Sequence, residues 1–321
     1  VHAGQLLSGE EVVVKVQRPG VAEKIKTDLE ILTQFAGTLA ERFPQLRPLN
    51  PGELAEELAL VTKRELDFST EAASTERLRQ NLAAAGDWKV PRVYWEFTSD
   101  RLIVFERIRG IRADDVAALR AAGVDLKTTA RSLVECFLTQ VFKDGFYHGD
   151  PHAGNILVSP AGQIQLVDCG AMGYLTAETL DALGAILIAF HTRDYGRIST
   201  EVIRLGAADD IINTGRFQAD AAAVVGRYYA LPLRYIRLGG FFEELLVLAR
   251  RNGVKLPREL TLLAKTVMLV ENLARGMDPT LELITVAEPF ARDLVKRRYS
   301  PVAVARGLAA VSYTHLTLPT I

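Results

Sequence analysis

The eight residues "HGDPHAGN", His148 to Asn155, carry two histidines, an aspartate and an asparagine. Clustered His, Asp and Asn side chains serve metal-dependent phosphoesterases, but such sites draw further ligands from elsewhere in the chain. Upstream the sequence offers only His2, and downstream of His152, the C-terminal tail aside, only His191. That ligand set falls short. A second chemistry uses Asp150 and Asn155, five apart, with Asp168 in "DCG" beyond them. The spacing H-x-D-x-x-x-x-N followed by D-x-G suits phosphoryl transfer, which asks the protein for hard oxygens on Mg²⁺, an acceptor-orienting group and a cation on the phosphates. Asp168 and Asn155 supply the oxygens, a sufficient protein share for an ion that keeps its waters. Asp150 would take the proton of an attacking hydroxyl or water. Lys15, central in the β-branched run "EEVVVKVQ", would be the cation.

An ammonium in a lobe interior needs a partner. In "KRELDFSTEAASTERL" the acids are Glu65, Asp67, Glu71 and Glu76. On a helix Asp67 and Glu71 share a face and Glu65 points away, so spacing leaves either Asp67 or Glu71 to meet Lys15. The plainer alternatives are a polar turn for "HGDPHAGN", a snorkelling lysine on an edge strand for Lys15, and a solvated helix face for Glu65 and Asp67.

The elements that must position these residues are legible from periodicity. Val12, Val13, Val14 and Val16 predict a strand with Lys15 half buried. Ile25, Leu29, Leu32, Phe35 and Leu39 predict an amphipathic helix after "RPG". Asn50 and Pro51 predict the start of a second long helix, Gly52 to about Leu82. Strands are expected around Lys89 to Phe97 and Leu102 to Arg107, with Ser99 and Asp100 at the turn between them. Beyond Val124 the pattern is helical, Leu133, Phe137 and Val141 forming one stripe, except for a hairpin of Ile156 to Val158 and Ile164 to Val167 around "SPAGQ". The chain then runs through "AMGYLTAETLDALGAILIAF" almost directly into a helix, with no A-P-E motif and no room for a long activation segment. That argues against a protein-substrate platform and for a small molecule, a lipid or plain ATP hydrolysis.

Composition bounds the rest. The 321 residues are 49% hydrophobic and 24% charged, enough for two packed lobes. Lys plus Arg (38) nearly balance Asp plus Glu (39). With no basic stripe interleaved with exposed aromatics, nucleic acid is not an expected partner. Cys136 and Cys169 fit a reducing compartment, and Cys169 reads as a small packed hydrophobe. No apolar run of about 18 residues and no signal peptide is found, so the chain as given is expected to be soluble. "YYALPLRYIRLGGFFEELLVLARR", Tyr228 to Arg251, fits either a membrane surface or a helix-turn-helix in the core. The tail "VSYTHLTLPTI" resembles a translated sequencing adapter and is set aside.

Four stretches in order, "VVVKVQRPGV", "ELDFSTEA", "HGDPHAGN" and "LVDCGAMG", together resemble the ABC1/AarF/UbiB family of atypical kinase-like proteins. The resemblance implies an α+β, two-lobed, protein-kinase-like fold: a small strand-plus-helix N-lobe (1–110), a mainly helical C-lobe (111–310) and a non-native tail (311–321). It implies that Lys15 is the strand lysine and Glu71 its partner, that Glu65 and Asp67 form an E-x-D pair, and that Asp150 is the catalytic-loop aspartate, with Asn155 and Asp168 on metal. His148 would brace the loop, and backbone groups of the hinge "FERIRG", through Glu106, Arg107 and Ile108, would meet adenine. The family's K-x-G-Q element and Ala-rich loop are expected ahead of Val1. "PHAGN" stands where the family commonly has "PHPGN", and Cys169 stands where protein kinases have Phe.

The implied function is a Mg²⁺- and ATP-dependent kinase or ATPase supporting ubiquinone biosynthesis. Its implied partners are an isoprenoid lipid or quinone precursor, quinone-biosynthesis enzymes and a membrane surface. Its implied place is the cytoplasmic side of the inner membrane, anchored through a segment missing from this chain. The alternatives are an aminoglycoside- or choline-kinase-like phosphotransferase and a nucleotide-binding scaffold without turnover.

Overall fold

Four valines around Lys15 do form a strand, because β-branched side chains fit a pleated, half-buried surface. The computed structural model describes residues 1–43, 66–192, 194–208, 214–229, 231, 232 and 235–298, with positions 52, 55, 59 and 62 between the first two stretches. Glu65, most of the first half of the expected long helix and the tail 311–321 lie outside the described residues. The chain divides into two units: Val1–Ala83, Lys89–Arg109 and Leu166–Ala171 in the first, and Ala84–Trp88, Gly110–Gln165 and Met172–Ile321 in the second.

In the first unit, β1 (His2–Gln5), β2 (Glu11–Val16) and β3 (Leu102–Glu106) form an antiparallel sheet in that order. The register sets Lys15 opposite Ile103 and Val13 opposite Phe105. With a side-chain period of two, Lys15, Ile103 and Phe105 share one face. There Ile103 and Phe105 pack with Val93, Phe68 and Ala72, the last two from helix α2 (Phe68–Ala83). On the other face Val12, Val14 and Val104 pack with Leu6, Tyr94 and Leu102. The same parity that buries the valines on one side thus presents Lys15 to the helix on the other.

Helix α1 (Val21–Arg42) forms as the periodicity predicts, but its apolar stripe is not buried throughout: Leu32 and Phe35 are exposed. The expected strand Lys89 to Phe97 does not run its length. Lys89 ends the two-residue strand Trp88–Lys89, Pro91 has no N–H for a ladder, Val93 makes an isolated bridge to Phe105, and Trp95–Phe97 closes a 3₁₀ turn. The expected unbroken second helix is corrected too. Leu66 lies in a turn, and Asp67 sits ahead of α2, its Oδ1 accepting the Ser69 N–H (2.9 Å) and the Ser69 hydroxyl (2.5 Å). A short carboxylate competes for backbone donors and so starts helices more readily than it continues them.

In the second unit, β4 (Ile111–Arg112) leads to α3 (Val116–Ala121) and α4 (Leu126–Thr139). Asp125 caps α4 by accepting from the Lys127 and Thr128 amides. A π-helical turn, Gln140–Asp144, continues α4 and ends at Gly145 in the left-handed region (φ 59°). Then come β5 (Phe146–His148), β6 (Ile156–Val158), β7 (Ile164–Leu166) and β8 (Met172–Tyr174). β5 pairs antiparallel with β8, and β4 with β6. The expected hairpin strands are therefore present, with Val167 outside them.

Helices α5 (Ala177–Thr192), α6 (Tyr195–Leu205), α7 (Thr214–Tyr229), α8 (Leu238–Arg251), α9 (Arg258–Met277) and α10 (Leu283–Arg298) complete the unit. Within the aromatic stretch from Tyr228, Phe241 is fully buried against Phe190 and Tyr228, while Leu231 and Tyr235 are exposed. Gly239 lets α8 approach α9, since a Cβ there would overlap the Met268 side chain and crowd its backbone. Among the described residues no helix is long and apolar enough to cross a membrane.

Candidate active site

Helix α2 begins at Phe68, so Glu71 falls in its first turn, where a carboxylate suits the helix dipole. It faces the sheet. Lys15 Nζ donates to both Glu71 oxygens, at 2.8 and 3.0 Å, and lies 5.5 Å from the centre of the Phe68 ring. Of the two partners that spacing left open, the structure selects Glu71, because Asp67 is spent on the cap. Asp168 joins the same group with Oδ1 3.5 Å from Lys15 Nζ. One ammonium, 26% exposed, therefore serves two carboxylates, Glu71 at 7% and Asp168 at 52%.

Charge balance follows from that count. Burial pushes the Glu71 carboxyl up; the Lys15 ammonium offsets this in part, Asp168 adds to it, and the net shift is upward. Burial pulls Lys15 down, but its bonds to Glu71 and then Asp168 outweigh it, and its net shift is also upward. The group carries a net negative charge and would accept a further cation. Asp168 is also the one described non-glycine residue with positive φ (57°), a conformation costing about 1 kcal/mol or more. Such strain marks a carboxylate held in place by its surroundings. Cys169 beside it is fully buried, its thiol pushed up to about 12 by desolvation, and is inert packing.

The hinge stretch begins at the end of β3, in Phe105 and Glu106. The Glu106 N–H donates to the Arg92 carbonyl (2.8 Å) and the Arg107 N–H to the Glu11 carbonyl (3.0 Å). The Glu106 carboxylate holds Lys89 (2.6 Å), and the Arg109 guanidinium reaches back to Glu11, holding that carboxyl below its usual range. The Glu106 and Arg107 amides are thus spent in the sheet, and of the backbone groups expected at adenine the carbonyl oxygens and the Ile108 amide are left.

The second unit assembles the loop after β5. The buried His148 Nδ1 accepts the Asp150 N–H (3.2 Å), and the Asp150 carbonyl accepts the His152 N–H (2.8 Å) and the Asn155 Nδ2 amide (3.1 Å). His152 in turn accepts at its carbonyl from the Asn155 N–H (2.8 Å) and at Nδ1 from the Gly154 N–H (3.0 Å). The loop is closed on itself, and with Nδ2 committed, Oδ1 is the Asn155 atom suited to a metal.

Three supports were not legible in the sequence. Gln140, in the π-helical turn, accepts the His148 N–H at Oε1 (3.0 Å). Lys265 on α9 donates to Asp150 Oδ1 (2.9 Å), and Thr266 donates to the Gly149 carbonyl (3.0 Å). A π turn has no residue signature, and α9 is 115 residues from Asp150, so no spacing rule reaches it.

Among the described residues no group of three or more His, Cys, Asp and Glu side chains is placed to hold a metal ion. A metal here would lean on phosphate and water oxygens, as Mg²⁺ does. The strained Asp168 carboxylate and the excess negative charge around it fit that ion.

Against known proteins, residues 1–202 match the family model for the ABC1 atypical kinase-like domain, and residues 221–282 match that for the UbiB helical domain. The "Probable protein kinase UbiB" of Pseudomonas entomophila (strain L48) is 38% identical over 312 residues, 96% of this chain and 58% of that protein. Its namesake in Marinobacter nauticus is 35% identical over 96% of this chain and 57% of the relative. The chain thus spans little more than half the length of these curated relatives. Among solved structures, the Rv3197–erythromycin complex from Mycobacterium tuberculosis superposes with a TM-score of 0.67, at 20% identity, over 90% of this chain and 73% of that one, a likeness of fold.

Proposed function

The chain belongs to the ABC1 atypical kinase-like family and has its kinase-like fold, and from that premise we propose that it binds Mg-ATP and transfers or hydrolyses the terminal phosphate, in support of isoprenoid-quinone biosynthesis at a membrane. The observation that carries the nucleotide reading is the group Lys15–Glu71–Asp168, two carboxylates on one ammonium with Asp168 in a strained backbone state.

Glu71 fixes the Lys15 ammonium so that it meets the α- and β-phosphates with little reorganisation, and a positioned charge in a half-buried site acts more strongly than one in water. By family likeness Asp168 and Asn155 are the residues assigned to Mg²⁺, which would supply charge neutralisation on the phosphates. Asp150, its backbone fixed by His148, accepts the proton of the attacking hydroxyl or water. Carbonyl oxygens of the hinge and the Ile108 amide would receive adenine. Glu65 and Asp67 are assigned to the E-x-D element by family likeness alone, as is the isoprenoid and membrane part of the reading.

The test is the melting temperature of the chain, freed of its tail, with and without Mg-ATP, beside Asp168→Asn. A ligand bound only to the native state stabilises it with occupancy, by about 2.7 kcal/mol at a hundredfold excess over Kd. A rise in the wild type that Asp168→Asn abolishes supports the site, and no rise at a few millimolar Mg-ATP refutes it. ADP release that increases with vesicles carrying an isoprenoid phenol, and not with soluble amines or sugars, would favour the lipid reading over a soluble-substrate phosphotransferase. Binding without ADP release under any of these conditions would favour a scaffold.

A further inference from the structure

Between His148 and Asn155 the loop has no lysine or arginine of its own. Its internal basic side chain near the Asp150 carboxylate is His152, with Nε2 3.8 Å from Oδ2, charged only when protonated. The cation that does touch Asp150 comes from α9: Lys265 Nζ donates to Oδ1 at 2.9 Å. The neighbouring Thr266, fully buried, donates its hydroxyl to the Gly149 carbonyl at 3.0 Å. One turn and more toward the start of α9, the Glu259 carbonyl accepts the Tyr147 hydroxyl at 3.0 Å. Three contacts, at residues 147, 149 and 150, therefore seat the loop on one helix.

Two of the three hold backbone or packing. The third does not serve that purpose: Lys265 is 58% exposed and Asp150 34%, and ion pairs so open add little to stability. What Lys265 does fix is which carboxylate oxygen is engaged. With Oδ1 bonded to the ammonium, Oδ2 is the oxygen turned to other partners.

We propose that Lys265 is a positioning residue for phosphoryl transfer, in which α9 of the helical domain supplies the cation that the loop lacks and reserves Asp150 Oδ2 as the proton acceptor. The inference rests on the phosphoryl-transfer reading of Asp150. In the step so arranged, the acceptor O–H bond breaks and its proton passes to Oδ2. The oxygen lone pair forms the bond to the γ-phosphorus, and the bond from that phosphorus to the ADP oxygen breaks with its electrons to ADP. A cation beside Oδ1 also limits the like-charge repulsion between Asp150 and the incoming phosphate.

The experiment measures ADP release by wild type, Lys265→Met and Lys265→Arg in the full chain, with the Mg-ATP-induced rise in melting temperature recorded for each. Met keeps the length and apolar stem of lysine, and Arg restores a cation. The expected result for Lys265→Met is a kcat lower by at least about tenfold and up to about a hundredfold, part of the usual worth of a placed proton acceptor. KM for ATP and the Mg-ATP shift should stay within twofold of wild type, and Lys265→Arg should recover most of kcat. A merely structural lysine would lower the melting temperature without splitting kcat from KM.

Turnover within twofold of wild type in Lys265→Met overturns the inference alone, as does an Arg variant as slow as the Met variant. A Met variant that loses Mg-ATP binding also overturns it, since positioning at Asp150 leaves nucleotide affinity intact. No turnover in the wild type overturns the phosphoryl-transfer reading, and this inference with it.

Discussion

Replacing Lys15 by methionine removes the ammonium that holds both oxygens of Glu71 while keeping the length of the side chain. Glu71 is only 7% exposed, so the carboxylate is left largely desolvated. Breaking a buried ion pair by deleting one partner costs about 3–5 kcal/mol. Lys15 is 26% exposed and Glu71 can take up a proton, at 1.36 kcal/mol for each unit its pKa is displaced from the ambient pH, so the expected loss is roughly 2–3 kcal/mol. For the transition that unfolds the first unit this is a fall in melting temperature on the order of 9–13 °C.

The double variant Lys15→Met, Glu71→Leu should recover most of that loss, because a buried ion pair replaced by packed apolar side chains is often neutral or better. Its Mg-ATP response should stay absent. That combination would mean the pair is kept for its chemistry at a cost in fold stability. Differential scanning fluorimetry and urea unfolding of the two variants beside wild type read both quantities. A Lys15→Met melting temperature within about 1 °C of wild type, or a double variant no better than the single, would refute the desolvated pairing described above. The pH dependence gives a further check. The folded value of Glu71 lies above its ordinary 4.5, so its contribution to stability is present below 4.5 and is lost as pH rises through the folded value. Wild type should therefore gain stability relative to Glu71→Gln as pH falls from neutral toward 4.5, and a difference independent of pH would contradict the upward shift.

Two other predictions concern the scaffold. In the second unit Glu271, 2% exposed, accepts from the Arg275 Nε and the Gly239 N–H, both at 3.0 Å, while Arg275 Nη2 donates to the Ile236 carbonyl. Glu271→Ala should cost about 3–5 kcal/mol by urea unfolding, and a loss under about 1 kcal/mol would show that the network is not closed in solution. Cys136 and Cys169 are buried and both thiols are pushed up to about 12 by desolvation, so a chromogenic disulfide reagent should find no fast thiol in the native protein and two after denaturation. A fast-reacting thiol in the native state would contradict that burial.

The residues with chemical capacity, and the order in which they come, were fixed by sequence because each motif is local. Asp150 and Asn155 sit on one loop, Asp168 follows one hairpin later, and the β-branched run around Lys15 dictates a strand whatever it pairs with. Parity within that run already separates Lys15 from Val12, Val14 and Val16. Tertiary structure decided what those residues meet. Asp67 and Glu71 are equivalent on an unbroken helix. They separate only because Asp67 turns its carboxylate to the backbone and starts α2, leaving Glu71 on the face that packs against Ile103 and Phe105. The strand expected from Lys89 to Phe97 fails because apolar alternation cannot register the missing N–H of Pro91 or the 3₁₀ turn beyond it. Gln140, Lys265 and Thr266 carry no local signature at all. Their roles arise where a π-helical turn and α9 come to the Asp150 loop, and pairings across 115 residues are set by how helices pack, which periodicity does not encode.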